Sequence, residues 1–420
     1  MAHGRDARHR VDRLNSERND GSPLSRWTTA QVEAGGWIRR MFAEGQRLRT
    51  AQGNDSVIDL SLGQPLDAPA PVREALARAV AETFPGRHAY MPNLGYPELR
   101  ERAAEDVDVS GVTASCVAMT GGAAGAMCLA LRAFVDRGDE VVGIAPYFSE
   151  FRPYCETGGL SFVPVRADDT TQRVDVDGLV RALSDRTAAI IINTPSNPSG
   201  HVIEHQEMTE IVDVIEHHNR RTGRRILLVV DEAYRNLVYA PARRVEPFAY
   251  YEHTVIARSF SKDMGLAGER IGYLALHPSL AGEQTERGLE SCMRGLGMVN
   301  APATAQRALL ALGSWHIDVE RYRVLRDHSY GAALRAGLDV ADPQGGIFLW
   351  ARSPWQDTLA YVSALAARNV LVTPGIAFEV PERFRVCFTS TPDRLTRALA
   401  VAGEVAAGGG APGDAPPPRQ

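Results

Sequence analysis

The chain of 420 residues predicts an α/β fold, with a large domain built on a mostly parallel sheet flanked by helices and a smaller α+β domain after it. Three observations predict this. The short runs VVGIA (141–145), AAIIIN (188–193), ILLVVD (226–231), TVIARS (254–259) and IGYLAL (271–276) are largely uninterrupted by polar residues, as strands buried on both faces should be. Amphipathic helical patterns, such as 205–221, lie between several of them, which is the alternation of a βαβ domain. After about residue 301 come two long helical patterns (302–336), short strands at 347–350, 370–373 and 384–388, and a helix at 392–404.

Taken in order, residues 1–27 are a polar arm without the apolar segment of a secretory signal and are expected to be disordered. Residues 28–70 open with a helical pattern over 28–50, interrupted by Gly35 and Gly36, that places Trp37, Ile38, Met41 and Phe42 on one face. This segment is expected to complete the small domain. The large domain is expected over 71–300 and the small one over 301–405. Residues 406–420 form a Gly/Ala/Pro tail that cannot bury a core. The net charge is −5, with no basic block outside the extreme N-terminus, so nucleic acid is not a favoured partner. Five scattered cysteines show no metal-ligand spacing and read as free thiols of a reducing compartment, with no metal expected. No apolar stretch approaches a membrane span, and a cytoplasmic protein is the default expectation.

Lys262 is the only lysine; the other 45 of the 46 cationic side chains are arginine. A codon bias towards arginine is the plain reading of the missing lysines; Lys262 is then either a chance survivor or a position that arginine serves poorly. Arginine stays protonated in essentially any site, whereas a lysine amine can be deprotonated by desolvation or neighbouring cations. Only a neutral amine attacks a carbonyl to form a Schiff base. Lys262 sits in SFSKDMGLAGERIGY (259–273), just after a buried strand. Open α/β sheets place ligands at the carboxyl ends of their strands. Ser259, Ser261 and Arg270 share the loop, a set suited to a phosphorylated aldehyde.

Four further loops follow strand-like runs. Asp231, in VVDEAYRNLVY (229–239), is a ligand carboxylate or the cap of a following helix. NTPSNPSG (193–200) is a rigid loop at the same sheet edge. TGGAAGA (120–126) opens a helix whose backbone N–H groups can hold a phosphate, or pack as small residues against the sheet; the dinucleotide spacing is absent. APYFSEF (145–151) offers aromatics to a flat ring or to the core. Together the loops supply an amine, a carboxylate, a phosphate cradle, an amide and an aromatic plate, the set pyridoxal phosphate requires.

These motifs resemble the fold-type-I pyridoxal-phosphate aminotransferases (class I/II, aspartate aminotransferase-like). The likeness runs from about residue 35 to 404, through Tyr90 to Gly95, the Gly-Gly helix start, Pro-Tyr-Phe, Asn-x-Pro-x-Asn-Pro-x-Gly, Asp-Glu-Ala-Tyr, Ser-x-Ser-Lys, Gly-Glu-Arg-x-Gly and a late Arg-Val. The resemblance implies roles. Lys262 would bond to the cofactor and then shuttle the proton at the substrate Cα. Asp231 would keep the ring nitrogen protonated, its own pKa lowered by that cation. Tyr234 and Asn197 would bond the ring oxygen, and Phe148 would stack on the ring. Gly122, Ala123, Ala124, Ser259, Ser261 and Arg270 would hold the cofactor's phosphate end. Ala123 and Ala124 stand where many relatives carry a hydroxyl or a lysine. Tyr90 would reach the neighbouring subunit's phosphate, implying a homodimer. Arg385 in FRVCF (384–388), in preference to Arg383, would clamp the substrate α-carboxylate beside Gly63. Trp37 reads as pocket lining or as core.

The function implied is transamination between an L-amino acid and a 2-oxo acid by a ping-pong Schiff-base route. A β-eliminating carbon–sulfur lyase, or a decarboxylating or oxidising deaminase, would use the same residues, because no motif reports which Cα bond breaks. A non-catalytic sensor domain would need a DNA-binding domain in front, and the residues before the shared region carry no such pattern.

Overall fold

The computed structural model describes residues 23–34, 37–53, 56–315 and 318–408. In chain order the strands are β1 (Ile58–Asp59), β2 (Val117–Thr120), β3 (Glu140–Ala145), β4 (Ser161–Arg166), β5 (Thr187–Asn193) and β6 (Leu227–Asp231). They continue with β7 (Thr254–Ser259), β8 (Gly272–Leu276), β9 (Phe348–Arg352), β10 (Val370–Leu371), β11 (Thr373–Pro374) and β12 (Arg383–Cys387).

Seven strands form one sheet in the order β2-β8-β7-β6-β5-β3-β4. Neighbours from β7 to β4 pair in parallel. The exception among the predicted runs is β8, which lies antiparallel between β2 and β7. Every residue of β6 is buried. Leu228 and Val230 join one core cluster, and Leu227 and Val229 join the cluster on the opposite face. That is why these runs are apolar at every position rather than at alternate ones. β4 was not among the expected strands. It carries Pro164 and lies at the sheet edge, where a residue without an N–H costs no ladder bond.

A second sheet, β11-β12-β9, is antiparallel. It packs with the helices Glu320–Arg335, Thr358–Ala367 and Pro392–Ala407 around a separate cluster that includes Phe348, Tyr361, Phe384 and Leu395. Ile58 of β1 pairs with Val370 of β10, so the segment before residue 70 runs beside the C-terminal elements. The helical pattern expected over 28–50 is realised as Arg26–Ala34 and Trp37–Gln52. The expected arm and tail lie outside the described residues, apart from a few at their inner ends. Among the described residues no helix is long and apolar enough to cross a membrane.

Candidate active site

Strand register builds the site. Asn193 at the end of β5 pairs with Asp231 at the end of β6, and Asp231 pairs with Ala257 of β7. Ser259, ending β7, pairs with Gly272 of β8, which also pairs with Thr120. Four strands therefore end, and β8 begins, at one end of the sheet. The cavity there has a volume of about 390 Å³, and Gly63, Phe348 and Arg385 also line it.

The helix Gly122–Phe134 begins without a side-chain cap, leaving its first-turn N–H groups facing the cavity edge with Ala123 and Ala124. Gly122 has φ +79°, and a Cβ there would lie 3.0 Å from Arg270 Nη2. Only glycine lets the turn and the guanidinium approach so closely. Arg270 donates to Gly121 O and Ala267 O, both at 3.0 Å, and forms no ion pair among the described residues. Ser259 Oγ donates to Ser261 Oγ at 2.8 Å. Uncapped amides, two hydroxyls and a guanidinium without a carboxylate partner among the described residues make this end of the cavity an anion site.

Asp231 is buried, and its Oδ1 accepts the Ala233 amide at 3.0 Å. No helix follows; the local bond closes a turn. No cation pairs with the carboxylate among the described residues, and burial raises its pKa to about 7. The lowering expected from the sequence depends on a cation opposite it, and the described residues supply none. Behind it, Glu232 accepts Arg258 Nε at 2.7 Å, an ion pair that braces β6 against β7.

Lys262 Nζ donates to the carbonyl of Gly63. Burial lowers its pKa to about 8, with Arg385 and Arg270 adding to the effect. Tyr234 is buried, its ring edge-on to Phe348 with centroids 5.8 Å apart. Phe148 also lines the cavity, whereas Tyr147 is buried in the core.

Arg385 is 2% exposed. Nη1 donates to Asn197 Oδ1 at 2.8 Å and Nη2 to Ser61 O at 2.6 Å, while Nε is buried without a partner. Its guanidinium lies 4.2 Å from the Phe348 ring centroid and 4.9 Å from that of Phe378. Among the described residues no carboxylate pairs with it, and burial lowers its pKa to about 10. Arg383 differs: its Nε is held by Asp169 Oδ1 at 2.8 Å, so the cavity receives Arg385.

The cavity thus brings together Lys262, Asp231, Tyr234, Asn197, Phe148, Ser259, Ser261 and Arg270 with Ala123, Ala124, Gly63 and Arg385. Gly122 packs against Arg270 just outside the lining. Tyr90 is not brought in; it is 96% exposed on the surface. Trp37 begins a helix, but its side chain lies outside the described residues. The sequence reading missed Phe348, Met127, Phe151, Tyr154 and Gln64, which also line the cavity. Of these, Phe151 stood in a quoted motif and Gln64 next to Gly63, so position along the chain was the one usable signal.

A buried amine, an unpaired carboxylate and an unpaired guanidinium around one cavity, with an anion cradle at its end, can hold a phosphorylated cationic ring and a carboxylate substrate together. Comparison with known proteins agrees. The family profile "Aminotransferase class I and II" matches residues 55–401. The aspartate aminotransferase of Pyrococcus horikoshii is 26% identical over 383 residues, 86% of this chain and 92% of that protein. The aromatic-amino-acid aminotransferase 2 of Thermococcus litoralis is 28% identical over 388 residues, 86% of this chain and 93% of that one. The crystal structure of an aminotransferase from Eubacterium rectale superposes with a TM-score of 0.85 at 27% identity, covering 92% of this chain and 98% of that one.

Proposed function

The chain belongs to the class I and II aminotransferases, and from that premise we propose how its residues carry the reaction. The family uses pyridoxal phosphate and transfers an amino group between an amino acid and a 2-oxo acid. When bound, the cofactor supplies an aldehyde that bonds to amines and a ring that accepts electrons. The residues fit it: the anion cradle suits its phosphate, the unpaired Asp231 suits its ring nitrogen, and the desolvated Lys262 suits its aldehyde.

The amides of Gly122, Ala123 and Ala124, the hydroxyls of Ser259 and Ser261, and Arg270 hold the phosphate. Asp231 keeps the ring nitrogen protonated. Among the described residues the buried carboxylate has no counter-charge, so a cation opposite it would lower its pKa. Tyr234 and Asn197 would hydrogen-bond the ring oxygen, and Phe148 would pack on the ring. Lys262 anchors the cofactor. Its amine would move the proton at the substrate Cα, which a lowered pKa permits near neutral pH. Arg385 orients the α-carboxylate beside Gly63. Amino acid and oxo acid take turns at this site, so the kinetics are ping-pong.

We also place the division between domains near residues 70 and 300, put Tyr90 at the partner's phosphate in a homodimer, and set the enzyme in the cytoplasm. The observation that carries the reading is the unpaired Arg385 within one cavity of Lys262 and Asp231. Lys262→Ala tests it: the long-wavelength absorbance of lysine-bound cofactor and the turnover should both vanish. A variant with full activity would contradict it.

A further inference from the structure

Tyr322 lies on the helix Glu320–Arg335 and is 3% exposed. Its hydroxyl donates to the carbonyl of Lys262 at 2.6 Å and accepts the Leu66 amide at 3.1 Å. One oxygen thereby joins three segments: a C-terminal helix, the lysine loop and residues 61–66. The last of these also serves the substrate end of the cavity. Ser61 O accepts Arg385 Nη2 at 2.6 Å and Thr373 Oγ1 at 2.9 Å, Gly63 O accepts Lys262 Nζ, and Gln64 O accepts Thr389 Oγ1.

We propose that Tyr322 is a positioning residue that holds Lys262 in register with the carboxylate-binding segment 61–66 during turnover. The inference rests on the function proposed above. Lys262 is tied to that segment twice, through its amine to Gly63 O and through its carbonyl to Tyr322 and Leu66. The first tie competes with catalysis, because bonding to the cofactor leaves the lysine nitrogen at most one N–H, and the amine must turn its lone pair to the substrate to take up a proton. The second leaves the amine free, because it grips the main chain. Proton transfer depends on placement, and a displacement of about 1 Å can cost roughly a hundredfold in rate. Tyr322 touches no reacting atom; it acts through the lysine main chain. Burial raises the phenol pKa to about 12, so the hydroxyl remains a donor across the working pH range. A phenylalanine would fill the same space and leave Lys262 O and Leu66 N–H without this shared partner.

The test compares wild-type holoenzyme with Tyr322→Phe. One hydrogen bond lost at a positioning site predicts a kcat roughly three- to tenfold lower, with KM for the amino acid within about twofold. The pH midpoint of the lysine-bound cofactor's absorbance should shift, and Leu66 amide hydrogen exchange should accelerate. Unchanged kcat and midpoint, with or without faster exchange, would overturn the proposal and leave Tyr322 as packing alone. Should Tyr322→Phe not fold, 3-fluorotyrosine at position 322 keeps the geometry and strengthens the donor. It should then move the absorbance midpoint, and an unmoved midpoint would overturn the proposal. A wild-type protein without lysine-bound absorbance would instead defeat the cofactor reading, and Leu66 exchange would still decide whether the hydroxyl ties the loop.

Discussion

Arg385 Nη1 donates to Asn197 Oδ1 at 2.8 Å, a bond that joins β12 of the small sheet to the loop after β5 of the large one. With Ser61 O holding Nη2, it fixes the plane of the guanidinium before any substrate arrives. A rigid fork of donors binds a carboxylate through two parallel bonds. Arg385→Lys keeps the charge and loses the fork. We expect kcat/KM to fall by about a hundredfold or more, the equivalent of ~3 kcal/mol for a truncated buried charge pair. Steady-state kinetics with the best amino acid donor would check this, and a change below about threefold would count against the assignment.

Asp231 should make the stability of the cofactor-free protein depend on pH. Its folded pKa, about 7, lies above the ordinary carboxylate value of roughly 3.9. Between these pH values the unfolded chain has lost its proton and the folded chain has not. Folding is therefore progressively disfavoured as pH rises from about 4 to 7, with the full penalty above that. Asp231→Asn removes the ionisation, so it should raise Tm at pH 8 and leave it nearly unchanged at pH 4. Pyridoxal phosphate should stabilise wild type more than the variant at pH 8. Thermal melts at the two pH values decide it; an equal gain at both would contradict the burial argument.

Lys262 sets a second pH dependence. An amine of pKa about 8 is mostly neutral above that pH. The rate at which cofactor-free protein captures pyridoxal phosphate should therefore climb roughly tenfold per unit below pH 8 and level off by about pH 9. An ordinary lysine, with pKa near 10.4, would keep climbing to about pH 10. Stopped-flow absorbance across that range distinguishes the two curves.

Gly63 leaves no room for a side chain. A Cβ there would lie 2.7 Å from Phe348 Cζ and 3.8 Å from Lys262 Nζ. Gly63→Ala should push Phe348 off the Arg385 guanidinium it stacks on and cost about 1–3 kcal/mol of stability through overpacking. We expect KM for the amino acid to rise more than cofactor affinity falls. A variant with unchanged KM would show that the ring moves away without disturbing the clamp.

The strand ends were legible because strands buried on both faces leave runs with no polar interruption, and ligands gather where such runs stop. That reasoning found Asp231, Ser259 and the loops after β3 and β5. It did not find β4, whose Pro164 breaks the run, nor the reversed direction of β8, since an apolar run carries no direction. Arg383 and Arg385 are two residues apart on one strand and share a face, so periodicity cannot choose between them. The choice rests on Asp169, more than 200 residues earlier in the chain, which pairs with Arg383 (and with Arg352) but not with Arg385. Phe348 and Tyr322 were silent for the same reason. Each reaches the site across a long sequence separation, from elements whose local pattern says only strand or helix.

The most direct test is the absorption spectrum of the purified holoenzyme as single amino acids are added without any oxo acid. Transamination predicts that one donor replaces the lysine-bound band stoichiometrically with that of the aminated cofactor, releasing one equivalent of 2-oxo acid. Survival of the original band while many equivalents are consumed, with release of ammonia, carbon dioxide or peroxide, would contradict transamination and assign the site to elimination, decarboxylation or oxidation.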